Sequence, residues 1–515
     1  MIEFCNVTYK YQTDEKENLR GVSLKVKPGE FVVVTGRSGC GKTTLSKCIN
    51  GLIPYFHEGE LSGDIFVCGA NTRELALHEI GEKVGSVFQD PRSQFFTTDT
   101  TDEVAFGCQN LGLPREEILE RIDEAFGELD IEYLRDRSIF HISSGEKQKI
   151  AIASCRAMRP CVYVLDEPSS NLDISAIEQL SRSLRQLKRN GHIVIILEHR
   201  LYYLRELADR VLYMEDGEIV ESFTGEAFAS LPGAKLEAMG LRSFDLNSVP
   251  FHAKRLVAAN SILSLEALQL SFSYPCRRRR DRFREHICQN NHMETGELIK
   301  EVSFKAHGGE IIGVTGKNGA GKTTLIKLLA GLLKEKGGSV LLNGKSLTQK
   351  ERNLKTYFVM QDSDYQLFED SVKKELELGN EKVENLEEKC RNVLQALGLS
   401  SFAEYHPAAL SRGQKQRLTI ACGMVSEAEV LFFDEPTSGL DCDSMKRVAR
   451  LISGLAKEGK LILIVSHDYE FLLASCTRIL NLCEGQITED FLLNDNSRGR
   501  LRALLFPPAR MGEAI

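Results

Sequence analysis

No stretch of this 515-residue chain approaches the ~18–20 consecutive apolar residues that a helix needs to cross a bilayer. Its first residues, MIEFCNVTYK, lack a basic segment followed by an apolar one, so no secretory signal is expected. The 14 cysteines contain no CxxC pair, which argues against a zinc module or a disulfide framework and for reduced thiols in a cytoplasm. Positive charge is not in excess either. A net charge of −8 argues against a general nucleic-acid binder, and no nucleic-acid partner is expected. With 42% hydrophobic and 27% charged residues the composition is that of a folded soluble protein, long enough for two or three cores.

What the chain does have comes in pairs. The segments 36-GRSGCGKT-43 and 316-GKNGAGKT-323 both fit G-x-x-x-x-G-K-[ST], and each lies between an apolar β-rich run (31-FVVV-34, 311-IIGV-314) and a helix-like stretch. Glycines at Gly36, Gly39, Gly41, Gly316, Gly319 and Gly321 let backbone N–H groups turn inward around phosphate oxygens. The helix start adds partial positive charge. Lys42 and Lys322 would neutralise β- and γ-phosphates, and Thr43 and Thr323 would each offer a hydroxyl to Mg²⁺. A Gly-rich turn before a helix could explain one such match, but hardly two in equivalent settings.

Two more strand-like runs, 162-VYVLDEP-168 and 430-VLFFDEP-436, end abruptly in Asp-Glu. Continuous apolar runs suit strands buried on both faces of a parallel sheet, whose C-terminal ends are where such sheets bind ligands. Asp166 and Asp434 suit Mg²⁺ held through water, while Glu167 and Glu435 suit a base that polarises an attacking water. The runs 193-IVIILEHR-200 and 461-LILIVSHD-468 end with His199 and His467. The spacing from Ser143 to Asp166 equals that from Ser411 to Asp434, at 23 residues; Asp166 to His199 and Asp434 to His467 are both 33. Identical register marks a duplication.

In this order the motifs resemble those of ABC-type ATPases, and the resemblance covers nearly the whole chain. It implies two tandem P-loop domains of the α/β class, each with an α/β core, an antiparallel β subdomain and a helical subdomain. It also implies roles for particular residues. Ser38, Thr44, Asn318 and Thr324 join the phosphate loops. Gln89 in 87-VFQDP-91 and Gln361 in 359-VMQDS-363 join Thr43, Asp166, Thr323 and Asp434 around Mg²⁺, and Tyr11 and Tyr274 stack on adenine. The Asp loops are 170-SNLD-173 and 438-SGLD-441, and the signatures are 142-ISSGE-146 and 410-LSRGQ-414. Domains paired head to tail within one chain would bring Ser411 and Gly413 to the ATP on Lys42, and Ser143 and Gly145 to the ATP on Lys322. Glu146 puts a carboxylate where the pattern has a neutral amide, near an anionic ligand. The Lys322–Ser143 site is therefore expected to be the slower of the two.

The boundaries expected are 1–240 and 263–496 for the domains, 241–262 for a linker and 497–515 for a tail. Helix-like runs occupy 115–129 and 382–397. An insertion, 276-CRRRRDRFREH-286, is read as a solvated loop or as a contact for anionic lipid headgroups.

Among tandem ATPases, excision-repair enzymes need zinc modules and chromosome-maintenance enzymes need long heptad coils, and neither is present. Translation-factor proteins usually carry a long charged linker, which is missing too, though they remain the alternative. Tandem sugar-import ATPases often have a degenerate second phosphate loop, whereas here it is intact. The segments 89-QDPRSQFFTTDTTDEVAFG-107 and 361-QDSDYQLFEDSVKKELELG-379 look like those of energy-coupling-factor (cobalt and vitamin type) importers, with Gln94 and Gln366, and Glu103 and Glu375, at matching offsets. The phrases 198-EHRLYYL-204 and 466-SHDYEFL-472 are similar to those of its fused double ATPases. The resemblance implies an ATP-driven subunit with ATP and Mg²⁺ as cofactors, peripheral on the cytoplasmic face of the membrane. Its partners would be a coupling and a substrate-capture membrane component.

Overall fold

A computed structural model of the chain describes residues 1–12, 16–170, 172–251, 263–274, 297–361 and 363–506. The Arg-rich insertion 276–286, the linker from 252 to 262 and the tail from 507 onward lie outside the described residues. The chain forms two compact units, one built on Met1–Val249 and the other on Pro250–Ser438 with Ser444–Ile515.

In the first unit a six-stranded sheet runs in the order Glu218–Thr224, Arg210–Glu215, Phe31–Gly36, Ile193–Leu197, Val162–Asp166, Val84–Val87. All neighbours are parallel except the hairpin at the Glu218–Thr224 edge. Phe31–Gly36 and Ile193–Leu197 are buried along their whole length, as strands covered on both faces must be. The second unit repeats this order with Gln486–Leu492, Arg478–Cys483, Ile311–Thr315, Leu461–Val465, Val430–Asp434 and Thr356–Val359. Each unit adds a four-stranded antiparallel sheet, centred on Ile2–Tyr11 and on Ser264–Phe272.

Helices Thr100–Asn110, Arg115–Glu128 and Ser144–Ala157 fill the interval between Gln89 and Asp166, and their counterparts are Val372–Glu377, Leu386–Leu397 and Arg412–Val425. The run expected from 382 becomes helical only at Leu386, because Asn385 turns left-handed (φ 54°) just before it. The first unit also extends past its expected end. Leu241, Phe244, Leu246 and Val249 are buried, and Leu241 and Phe244 share a core with Phe228 and Leu236. The stretch read as linker from 241 therefore begins as part of a folded unit. In the same way the tail opens with the helix Arg498–Leu505, which buries Leu501 and Leu505.

Candidate functional site

In each unit the C-terminal ends of three adjacent parallel strands carry the expected residues. The loop after Phe31–Gly36 leads into helix Lys42–Ile49. A β-carbon on Gly36 would lie 2.1 Å from the Met214 carbonyl oxygen, and one on Gly41 (φ 100°) 2.5 Å from that of Asn18, so both positions need glycine. Lys42 Nζ donates to the carbonyls of Gly36 and Arg37, at 3.0 Å each. Lys322 Nζ does the same to Gly316 and Lys317, at 2.7 and 2.9 Å. Each ammonium is buried, and its own loop coils round it.

The Thr323 hydroxyl donates to Asp434 at 2.9 Å, and Thr43 lies beside Asp166. Desolvation raises both carboxyls. Together with the neighbouring Glu167 it pushes Asp166 up to about 7. Lys42 on Asp166, and Lys327 and Lys322 on Asp434, offset this only in part; a hydroxyl beside a carboxylate is an oxygen pair suited to Mg²⁺.

Glu167 and Glu435 take left-handed backbone conformations (φ 43° and 50°), unusual for residues with a β-carbon. Their N–H groups donate to Leu197 and Val465, which fixes each acid beside the strand that ends in histidine. Glu167 Oε1 lies 3.4 Å from His199 Nε2, and its Oε2 accepts from Gln89 Nε2 at 2.6 Å. In the second unit His467 lies 3.7 Å from Glu435, which also accepts from the Ser466 hydroxyl, while Gln361 is exposed. The expected glutamine, acid and histidine therefore meet in the first unit, and the acid and histidine in the second.

Tyr11 stands beside the helix after the phosphate loop, with Lys47 Nζ 5.5 Å from its ring centre. The Tyr274 hydroxyl lies 3.4 Å from that of Thr324. Each ring lies beside the helix that follows its phosphate loop.

The signature segments differ from expectation at Glu146. Ser143 caps helix Ser144–Ala157: its hydroxyl oxygen accepts from Glu146 N, and Glu146 Oε2 accepts from Ser143 N at 2.8 Å. Ser411 and Gln414 form the same capping box, also at 2.8 Å. The last signature residue thus caps its own helix, a role that glutamate and glutamine share. A serine followed three residues later by Glu or Gln was the signal in the sequence.

Gln94 and Gln366 also turn inward. Their side-chain oxygens accept from Phe88 N and Met360 N, at 2.9 and 3.0 Å. Buried Glu103 accepts from the backbone of Phe96 and Thr97, and buried Glu375 from that of Phe368 and Glu369. These four residues clamp the segment into shape. Among its exposed aromatics are Phe96 and Phe368, 74% and 76% accessible, each seven residues after the loop glutamine, and Tyr365 at 69% in the second half.

A sequence profile described as ABC transporter matches residues 19–170 and 299–438. A Treponema denticola protein named as an ABC transporter ATP-binding protein is 42% identical over 491 residues, covering 95% of this chain and 97% of its own length. An HMP/thiamine import ATP-binding protein of Bacillus subtilis is 31% identical over 494 residues, covering 92% and 88%. Among solved structures, an archaeal ribosome recycling factor in complex with a ribosomal stalk protein superposes with a TM-score of 0.60 over 97% of this chain and 92% of that one. At 22% identity this is a likeness of fold alone.

Proposed function

The chain belongs to the ABC transporter family of ATP-binding proteins, and from that premise we propose that it powers an energy-coupling-factor-type importer. It would drive uptake of a vitamin or metal ion through separate coupling and substrate-capture membrane subunits, from the cytoplasmic face. Its two tandem ABC ATPase domains bind and hydrolyse ATP.

In the proposed arrangement the domains pair head to tail within the chain. The first site joins Lys42, Gln89, Asp166, Glu167 and His199 to Ser411 and Gly413. The second joins Lys322, Gln361, Asp434, Glu435 and His467 to Ser143 and Gly145. Backbone N–H groups of each phosphate loop hold the β- and γ-phosphates, and the lysine exchanges loop carbonyls for phosphate oxygens. Thr43, Gln89 and Asp166, or Thr323, Gln361 and Asp434, would hold Mg²⁺, which would supply positive charge against the transferring phosphoryl group. Glu167 and Glu435 accept the proton of the attacking water, and His199 and His467 orient the same region. The signature serine's oxygen is occupied as a cap acceptor, so its hydroxyl proton is the part free to reach a γ-phosphate oxygen.

One observation supports the importer reading most: an exposed phenylalanine at the same place in each half, on a segment held by Gln94 and Glu103 or by Gln366 and Glu375. Large exposed aromatics on a rigid support suit a partner's apolar helix. The likeness to an HMP/thiamine import protein points the same way. Affinity purification of the chain from detergent-solubilised host membranes tests it. Small multi-span proteins should be recovered with it, whereas co-sedimentation with ribosomal subunits would overturn the proposal in favour of a translation factor.

A further inference from the structure

Glu198 precedes His199 and has no role in the chemistry above, yet it is buried, 2% exposed, next to the first site. Its Oε1 accepts from the backbone N–H of His199 at 2.8 Å and of Arg200 at 3.1 Å. Its Oε2 accepts from the Tyr203 hydroxyl at 2.8 Å and from Ser169 N at 3.3 Å. Burial and Glu198 together push the Tyr203 hydroxyl well above its ordinary value, so it stays a donor. Arg200 closes the unit from the other side, with Nη1 3.4 Å from the carbonyls of Ser169 and Leu172. One carboxylate therefore joins the loop that carries His199 to the loop that leaves Glu167.

The second half makes the same join from the opposite side of its histidine. Ser466 replaces Glu198, and Asp468 stands where the first half has Arg200. Asp468 Oδ2 accepts from the Thr437 hydroxyl at 3.2 Å, and its N–H donates to Ser466 Oγ at 3.1 Å. The same fold thus forms with a small serine before the histidine. A buried carboxylate is costly to desolvate unless its acceptor sites are filled. Here four donors fill them, and three of these, the N–H groups of Ser169, His199 and Arg200, belong to the loops that flank the Glu167–His199 pair.

We propose that Glu198 is a positioning residue for hydrolysis at the first site, acting through the His199 backbone. The proposal rests on the reading that Glu167 and His199 serve hydrolysis. It is tested in a Glu435→Gln background, where turnover reports the first site. Glu198→Gln puts an amide N–H against donors that need an acceptor. It should lower kcat about tenfold, as expected for a displaced catalytic loop, with the KM for ATP within about twofold. In a His199→Ala background the same change should cost nothing further, because its effect passes through a side chain already removed. Losses that multiply independently in the double variant would overturn the proposal, and so would an unchanged kcat in Glu198→Gln. If His199→Ala alone leaves turnover intact, it is the role of His199 that fails, a separate outcome. Should Glu198→Gln fail to fold, Tyr203→Phe removes a single donor. An unchanged kcat in that variant would count against the proposal just as firmly, and a fall of about threefold that vanishes in His199→Ala would support it.

Discussion

Replacing Glu146 by glutamine separates two effects that the capping geometry predicts will be small. The amide oxygen of glutamine can accept from Ser143 N as Gln414 does from Ser411 N, at 2.8 Å in both halves. The cap is therefore kept, and only the favourable charge–dipole term of about 0.3–1 kcal/mol is lost. In the proposed head-to-tail pairing, repulsion of ATP bound at Lys322 stands on the other side. Two unit charges roughly 8 Å apart at an effective dielectric near 20 repel by about 2 kcal/mol. The half-charge at the helix start, on which Glu146 is folded, cancels about half of this. What remains is about 1 kcal/mol, or a factor of about five in affinity or rate. Glu146→Ala removes the acceptor as well and should cost about 1 kcal/mol of stability, about 2–4 °C in Tm for a domain of this size. The assay is steady-state turnover in a Glu167→Gln background, which leaves the Lys322–Ser143 site active, alongside thermal melts. Glu146→Gln should raise activity by no more than about fivefold and leave Tm nearly unchanged. A tenfold or larger gain, or a Tm loss matching that of Glu146→Ala, would refute the capping argument.

Three further outcomes are expected. Glu167→Gln combined with Glu435→Gln should keep ATP binding and abolish turnover, measured by nucleotide titration and phosphate release; wild-type turnover would remove both acids from the mechanism. Gly36→Ala should destabilise the first unit and end nucleotide binding there, since the added methyl meets the Met214 carbonyl at 2.1 Å, and an unshifted melt would contradict this. Phe96→Ser with Phe368→Ser should weaken recovery of membrane partners and leave basal ATPase intact. Gln94→Ala and Gln366→Ala should lower both activities, because they release the loop that carries Gln89 or Gln361.

The sequence made the phosphate loops, the Asp-Glu pairs and the histidines legible because phosphate and metal chemistry fixes residue type and spacing together. The parallel sheet followed from apolar runs that end in acids. The functions of Gln94, Gln366, Glu103 and Glu375 were hidden, since their partners are backbone groups and any polar residue on a loop looks solvated. Glu198 was hidden for a related reason: its four donors span residues 169 to 203 and meet only once three segments converge. The apolar residues from Leu241 to Val249 carry no repeat motif, so a search for pairs passes over a stretch that packing makes part of the first unit.

The lysines coiled into their own loops have a consequence for how the protein meets nucleotide. Much of the water lost by each ammonium is shed during folding, so an arriving polyphosphate need not strip it. The loop waits already wound around an internal cation, the lysine that its own carbonyls hold. Entry then becomes an exchange of partners, in which phosphate oxygens take the place of two carbonyls. Such a cradle is ready at all times and selects for anionic oxygen before it selects for a base.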